Sequence, residues 1–187
     1  MNVVATVLYE DKMQVGGGGA FPPHDLVLAM VGDALGETVW ALRSLVEKNP
    51  RNGISKLLAD VKRRTALIAG AGRLCILVDG DRVAEHVGLP KHSPEGTITE
   101  KLRELSDAGD KLEVFYLRPN LEGLLRSIEE CAPAHPAPVA KKHAARDTYL
   151  NKAAFSLPMS VRDCVRAKQP GVAGLVDTLV GLCRTAE

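Results

Sequence analysis

The fold of this chain is decided by one stretch, Arg73-Leu-Cys-Ile-Leu-Val-Asp-Gly-Asp-Arg82. Its apolar run, Leu74 to Val78, ends abruptly at two aspartates that are separated by one glycine. A short and unbroken apolar run is typical of a strand that is buried on both faces, as in a parallel sheet. The stretch therefore predicts a central strand of an α/β fold, with Asp79 and Asp81 side by side at the carboxyl edge of the sheet.

The spacing of these two aspartates points to a cation. Carboxylates this close repel each other unless a cation or a shared proton lies between them. Mg²⁺, or Mn²⁺ in its place, is a hard cation that binds oxygen ligands. The alternative is a solvated turn at the end of a strand, because Asp-Gly is common in turns.

Two further strands are predicted on either side of this stretch. Val3 to Tyr9 is rich in β-branched residues and is followed directly by Glu10. Lys111 to Leu117 is ended by Arg118-Pro119, and Asn120 then caps a helix that carries Glu122 in its first turn. Helical segments separate the three strands, so parallel strands joined by right-handed crossovers are expected. The acidic residues after all three strands would then share one rim of the sheet.

The connecting segments carry helical patterns of apolar residues. The sequence predicts a long helix from about Asp25 to Lys48, with a kink or a break near its two glycines, and a second helix from about Ile54. Thr97-Ile-Thr-Glu100 predicts a helix that opens with a capping box.

The C-terminal part of the chain differs in composition. We expect an α/β core over residues 1–130, a connector rich in proline and alanine over 131–140, and a helical C-terminal extension over 141–187. Residues 131–187 hold eight Lys/Arg and four Asp/Glu, a net charge of +4. This basic face suits either a solvated helical surface or contact with an anion.

Composition limits the class of protein. The chain has 187 residues, 45% of them hydrophobic, and a net charge of +1, so it can form a core and has no overall nucleic-acid or membrane signal. Its four cysteines include no Cys-x-x-Cys pair, and buried reduced thiols are expected. The sequence shows neither a signal peptide nor an apolar run long enough to span a membrane, and a cytoplasmic protein is predicted.

The order of the acidic residues resembles the Toprim domain of topoisomerases, primases and overcoming-lysogenization-defect nucleases. In that family a glutamate follows the first strand and Asp-x-Asp follows a later apolar strand, which here would be Glu10 and Asp79-Gly-Asp81. Pro-Asn120-Leu-Glu122 resembles a compact Toprim-like group often found beside ABC-type ATPases. The resemblance covers about residues 3–130 and departs from the family in having Asp11 where glycine is usual.

The resemblance implies a fold, a cofactor and a reaction. The fold would be a mostly parallel Toprim-like sheet flanked by helices. Asp79, Asp81 and Glu122 would hold Mg²⁺ or Mn²⁺, which clamps a phosphodiester. Glu10 would position or deprotonate the attacking water, and Lys12 or Arg82 would neutralise charge on the phosphoryl group. The reaction would be phosphodiester hydrolysis.

The resemblance also implies partners. DNA or RNA would be held through its backbone by the basic C-terminal helices, a contact that does not read sequence. An ABC-type ATPase, in a defence system, would be a protein partner. The sequence itself leaves both a monomer and an oligomer open.

Two alternatives remain open from the sequence. The first is a catalytically idle Toprim-like module that serves as an interaction partner, which suits the near-neutral charge. The second is a haloacid-dehalogenase-like phosphatase, because Asp79-Gly-Asp-Arg-Val83 resembles the nucleophile motif of that family. That family expects a downstream acidic pair at a strand end, and the later candidate, Glu129-Glu130, closes a predicted helix.

Overall fold

The structure of the chain is a computed structural model, which describes residues 3–10, 21–51, 53–63, 72–80, 82–138 and 143–185. Lys12 and Asp81, which the sequence predicts as site residues, lie outside this described part, as does Asp11.

The described strands form one parallel sheet in the order β2-β1-β3-β4. They are β1 (Ala5–Tyr9), β2 (Val46–Pro50), β3 (Arg73–Asp79) and β4 (Leu112–Leu117). β1, β3 and β4 are the strands expected from the sequence, and β3 lies between the other two. The α/β class and the parallel sheet are therefore confirmed.

Helices cover both faces of the sheet, and their bounds are α1 (Pro22–Leu35), α2 (Val39–Leu42), α3 (Ile54–Arg63), α4 (Val83–His86), α5 (Glu95–Leu105), α6 (Leu121–Cys131), α7 (His143–Phe155), α8 (Met159–Lys168) and α9 (Pro170–Arg184). Alternate residues of a strand point to opposite faces, so β3 contributes to two hydrophobic cores. Cys75 and Leu77 contact the core beneath α1, α6, α7 and α9. Leu74, Ile76 and Val78 contact the core beneath α3, α4 and α5.

The segment from Asp25 to Lys48 breaks at one of its two glycines, as predicted, but the prediction that it is helical as far as Lys48 is wrong. α1 ends at Leu35, where Gly36 adopts a positive φ of 75° and donates its N–H to the carbonyl of Gly32. The second half of the segment forms α2 and then β2, which pairs with β1. β2 is an edge strand in which only Val46 is fully buried, so its sequence lacks the apolar run that marks a central strand.

The predicted capping box is also wrong, because α5 begins at Glu95 after Pro94 and therefore encloses Thr97. The cap predicted for the next helix is confirmed. Asn120 precedes α6, and its side-chain oxygen accepts a hydrogen bond from the N–H of Gly123 at 3.2 Å.

Side chains bond to the backbone at the two ends of β4. The amide of Gln169 accepts from the N–H of Arg118 at 3.2 Å and donates to its carbonyl at 3.1 Å, as a neighbouring strand would. Arg103 Nε donates to the carbonyl of Leu112 at 3.3 Å. This edge is therefore protected against pairing with another chain.

The C-terminal helices complete the core beneath α1. Leu150 of α7 and Leu175 of α9 are fully buried there. α9 packs on β4, where the backbone of Tyr116 occupies the space that a Cβ on Gly171 would need. The segment 141–187 is thus helical where it is described, and it shares one core with the sheet.

Two of the four cysteines are bonded to each other. Cys131, at the end of α6, forms a disulfide with Cys164 of α8. Cys75 and Cys183 are buried thiols outside the disulfide, as predicted, and burial raises the pKa of Cys75 to about 12. The expectation of reduced thiols is wrong for the first pair, because packing of α6 against α8 joins residues that are far apart in sequence. Disulfides persist mainly in oxidising compartments, so the cytoplasmic location stays a prediction.

None of the helices in the described part of the chain has both the length and the apolar character required to cross a membrane.

Candidate functional site

The candidate site lies where the order of the sheet changes direction. From β1 the chain moves outward to β2 on one side and then returns to β3 on the other side. The crevice at the carboxyl ends of two such strands is where open α/β sheets bind ligands. Glu10 follows β1 directly and Asp79 is the last residue of β3, so both stand at this crevice.

A hydrogen bond joins the two acidic positions. The backbone N–H of Asp79 donates to Glu10 Oε2 at 3.2 Å. The N–H of Leu121, the first residue of α6, donates to Asp79 Oδ1 at 3.1 Å. A carboxylate at the N-terminus of a helix is stabilised by the unpaired N–H groups and by the helix dipole. Backbone groups from β3 and α6 therefore hold both carboxylates in place.

Gly80 continues the chain immediately after Asp79. Its N–H donates to the carbonyl of Leu117 at 3.0 Å, and a Cβ at this position would stand 3.0 Å from the same oxygen. The glycine therefore allows a close approach between the ends of β3 and β4.

A cavity of about 320 Å³ opens between these elements. Among the described residues, four charged side chains line it, three acidic and one basic, and they are Glu10, Asp79, Glu122 and Arg146. The rest of the lining is apolar apart from Gly53 and is given by Tyr9, Phe21, Pro23, Leu26, Val27, Leu77, Leu117, Leu121, Leu124 and Val172. The cavity is thus an apolar chamber with carboxylates at the ends of the strands.

Three of the residues predicted from the sequence contribute to this one cavity. They are Glu10, Asp79 and Glu122, the last of which lies exposed in the first turn of α6. Arg82 is exposed in front of α4 and is not among the described residues that line the cavity. Lys12 and Asp81 lie outside the described residues, so their roles stay predictions.

Two of the three predicted metal ligands, Asp79 and Glu122, lie among the described residues. Among the described residues, no group of three or more Asp, Glu, His or Cys side chains is placed to hold a metal ion. Asp81, two residues after Asp79 in the sequence, lies outside the described residues. Metal binding therefore stays a prediction, which rests on the pair Asp79 and Asp81 in the sequence.

Arg146 is the site residue that the sequence did not single out as such. It lies on α7, which packs against α1, and its guanidinium is 3.3 Å from the carboxylate of Asp147. It brings a positive charge into a cavity whose other charged lining residues, within the described part of the chain, are acidic. Only the packing of α7 against α1 places it there, so no motif or spacing could have predicted it.

A buried pair of side chains fixes one aromatic wall of the cavity. Tyr9 and His24 are 2.9 Å apart through the phenol oxygen and Nδ1, and His24 Nε2 is 3.2 Å from the carbonyl of Val46. Burial, and then the charge of Lys48, lower the pKa of His24 to about 3. The imidazole is therefore neutral, so its Nε2 donates to the carbonyl and its Nδ1 accepts from Tyr9. Burial also raises the pKa of Tyr9, so that its hydroxyl remains the donor.

The neighbouring Asp25 is wholly buried and serves the fold. Its Oδ1 accepts from Arg43 at 3.1 Å and 2.7 Å, and Arg43 lies over the ring of Trp40. Its Oδ2 is a buried oxygen that has no hydrogen-bond partner among the residues the structure describes. Asp25 is not among the residues that line the cavity, and we assign it no part in the site.

Several basic residues of the C-terminal helices are already paired. Arg162 donates to Asp33 at 2.5 Å and 2.7 Å and to the carbonyls of Ala154 and Leu157 at 3.3 Å and 2.6 Å. Arg166 pairs with Asp177, and Lys168 pairs with Glu130. Arg162 therefore joins α8 to α1 and has a structural role. The sequence had suggested that the basic residues of these helices form a surface for nucleic acid.

Comparison of the chain with protein-family models, with curated proteins and with solved structures yields no match.

Proposed function

We propose that the chain is a metal-dependent nuclease of the Toprim-like kind, which hydrolyses phosphodiester bonds with Mg²⁺ or Mn²⁺ as cofactor. The observation that carries this proposal is the position of two acidic residues where the order of a parallel sheet reverses: the carboxylate of Glu10 accepts a hydrogen bond from the backbone N–H of Asp79. Ligands bind at this point in open α/β sheets, and a cavity is open to both carboxylates.

The donor set agrees with a hard cation. Asp79, Asp81 and Glu122 would supply carboxylate oxygens, which are the ligands that Mg²⁺ prefers. Such an ion, when bound, stabilises negative charge on phosphoryl oxygens.

The remaining roles fall to side chains that line the cavity. Glu10 would accept the proton of the attacking water, and its contact with the N–H of Asp79 limits its movement. Arg146 would offset negative charge on the phosphoryl group, a role that the sequence assigned to Lys12 or Arg82.

Nucleic acid as substrate, an ABC-type ATPase as partner and a role in defence follow from the resemblance to the Toprim-like group, and they are proposed with it. The phosphatase alternative loses support. Glu129 and Glu130 lie at the far end of α6 from Asp79, and a helix of 11 residues is about 16 Å long.

A second candidate function is an interaction module without catalysis. The observation that favours it is the pairing of Arg162, Arg166 and Lys168 with acidic residues, which reduces the charge available to a nucleic-acid backbone.

Matched variants decide between these functions. Asp79→Asn removes the charge but keeps an oxygen that can accept from Leu121, and Asp163→Asn makes the same change at an exposed position of α8. A ligand that binds only the folded state raises the melting temperature. We expect Mg²⁺ to raise the melting temperature of the wild type and of Asp163→Asn, but not that of Asp79→Asn.

Cleavage of labelled DNA and RNA completes the test. Glu10→Gln should lose roughly 100-fold or more of the hydrolysis rate and should keep the thermal response to metal. An equal response of the wild type and Asp79→Asn would exclude the metal site. A normal metal response without any cleavage would favour the interaction module.

A further inference from the structure

Gln169 is a buried polar residue at the junction of α8 and α9. It is only 2% exposed. Its N–H donates to the carbonyl of Val165 in α8, and its carbonyl accepts from the N–H of Ala173 in α9. Both helices therefore fix the backbone that carries the amide group. A buried amide costs free energy unless its hydrogen bonds are made, so the partners of this one show what it holds.

Each polar atom of this amide has a partner. Oε1 accepts from the N–H of Arg118 at 3.2 Å, and Nε2 donates to the carbonyl of Arg118 at 3.1 Å and to Ser127 Oγ at 2.9 Å. The hydroxyl of Ser127 in turn donates to the carbonyl of Gly123 at 3.0 Å. Only one of the two orientations of the amide satisfies both backbone groups of Arg118. Gln169 thus links the residue that follows β4 to the first two turns of α6.

The connection from β4 to α6 leads directly to the candidate site. Arg118 begins it, and after it the N–H of Leu121 donates to Asp79 Oδ1 at 3.1 Å. The backbone of Arg118 occupies the space that a Cβ on Gly123 would need, so the connection lies against the first turn of α6. A displacement of Arg118 would therefore move the N–H that binds Asp79, and it would move Glu122 in the same turn.

A second side-chain contact joins α9 to β4 away from the site. Thr178 Oγ1 donates to Glu113 Oε2 at 3.2 Å. Glu113 lies near the start of β4, whereas Arg118 follows its last residue. The contact of Thr178 therefore helps to hold α9 on the strand without touching the connection to α6. It provides a control that separates the packing of α9 from the placement of α6.

We propose that Gln169 is a positioning residue of the candidate site, which holds the backbone of Arg118 and thereby places the N–H of Leu121 on the carboxylate of Asp79. The placement of Asp79 stands on the hydrogen bonds that join these residues. Its consequence for metal binding and hydrolysis rests on the proposed function. The C-terminal helices thus contribute to the geometry of a site at the edge of the sheet.

The first test replaces the amide by an apolar side chain of similar length. Gln169→Met removes its hydrogen bonds to Arg118 and Ser127, and Thr178→Val is the matched control. The readout is the amide resonance of Leu121 in heteronuclear NMR spectra, because its position depends on the acceptor of this N–H. Asp79→Ala gives the position of this resonance when the carboxylate is absent.

We expect Gln169→Met to move the Leu121 resonance toward its position in Asp79→Ala, and Thr178→Val to leave it unchanged. A Leu121 resonance that stays in place in Gln169→Met, or that moves equally in both variants, would overturn the proposal.

Ser127→Ala is a milder variant that keeps the test decisive if Gln169→Met does not fold. It leaves both hydrogen bonds between Gln169 and Arg118 in place and removes the third. We expect the resonance of Leu121 to move in the same direction as in Asp79→Ala, by a smaller amount. A resonance at the wild-type position in Ser127→Ala would then count against the proposal.

Affinity for Mn²⁺ connects the positioning role with the proposed function. The loss of one hydrogen bond to a charged group corresponds to roughly a tenfold change in affinity, so calorimetric titration with Mn²⁺ should give a Kd about tenfold higher for Gln169→Met. Thr178→Val should keep the Kd of the wild type. Saturating Mn²⁺ should restore the cleavage rate of Gln169→Met.

These measurements distinguish the positioning role from the function on which it rests. A Leu121 resonance that moves as expected, in a protein whose wild type binds no Mn²⁺, would support the positioning role and refute the metal site. A higher Kd for Mn²⁺ in Gln169→Met, with no cleavage even by the wild type, would support the role and refute the nuclease. If the wild type binds Mn²⁺ and cleaves, an unchanged Kd and cleavage rate in Gln169→Met would refute the role.

Discussion

The disulfide between Cys131 and Cys164 allows a quantitative test of how the C-terminal helices are joined to the sheet. It connects the end of α6 with α8 and closes a loop of 33 residues that contains α7. α6 is also the helix whose first N–H binds Asp79. The perturbation is the double substitution C131S/C164S, which removes the covalent link and leaves the other contacts of α8 in place.

The expected magnitude follows from the length of the loop. Opening a loop of 33 residues restores conformational entropy to the unfolded chain and lowers the free energy of unfolding by about 3.7 kcal/mol at 25 °C. For a chain of 187 residues this corresponds to a fall in melting temperature of roughly 7–15 °C. Val165 stays buried and Arg162 still pairs with Asp33, so we expect the variant to fold.

Thermal unfolding followed by circular dichroism measures the effect on the oxidised wild type, the reduced wild type and the double variant. A reductant should lower the melting temperature of the wild type and should leave that of the double variant unchanged. Thiol titration in denaturant should find two free thiols before reduction, those of Cys75 and Cys183, and four after it.

Two results would refute this reasoning. Four reactive thiols in the denatured but unreduced protein would mean that the bond does not form. Equal melting temperatures of the oxidised wild type and the double variant would mean that α6 and α8 are held together without it.

Three further predictions concern the fold around the site. Gly171→Ala should lower the free energy of unfolding by about 2 kcal/mol or more, since backbone atoms fill the space of its Cβ. Gly181→Ala, in the same helix, places its Cβ in open space and should raise the free energy of unfolding by about 0.5–1 kcal/mol. Urea unfolding of both variants measures these changes. Arg162→Leu should lower the free energy of unfolding by about 2–4 kcal/mol, because it leaves the half-buried Asp33 without its partner. The substitution should not change the salt dependence of nucleic-acid binding, which a salt titration followed by fluorescence anisotropy would measure. Burial lowers the pKa of His24 from 6.5 to about 3, so on acidification the unfolded chain takes up a proton at this residue before the folded chain does. The free energy of unfolding should therefore fall by up to about 1.4 kcal/mol per pH unit as the pH drops from 6.5 toward 3. His24→Gln should lack this contribution when unfolding is measured across that range.

The sequence determined the centre of this protein by itself. The apolar run of β3 and the β-branched run of β1 are local signals, because a strand buried on both faces must be apolar at every position. The parallel order followed from the helical crossovers between strands. Parallel strands bring their carboxyl ends to one rim, and so the sequence also placed Glu10, Asp79 and Glu122 at a common site, where they line one cavity.

β2 could not be predicted from the sequence because it is an edge strand. Val46–Pro50 has a single fully buried residue, and it becomes a strand because β1 supplies its hydrogen-bond partners. A segment whose structure depends on a neighbour 41 positions away, as Val46 depends on Ala5, carries little local signal. The helical pattern that spans Gly36 was therefore extended too far.

Tertiary packing alone decided the disulfide, the place of Arg146 and the role of Arg162. Cys131 meets Cys164 because α6 packs against α8, and Arg146 reaches the cavity because α7 packs against α1. Arg162 was part of a basic face in the sequence, but its charge is used by Asp33 on α1. Each of these contacts joins helices that are separated along the chain, and the free energy that selects them comes from burying their apolar faces together, a quantity that no short stretch of sequence contains.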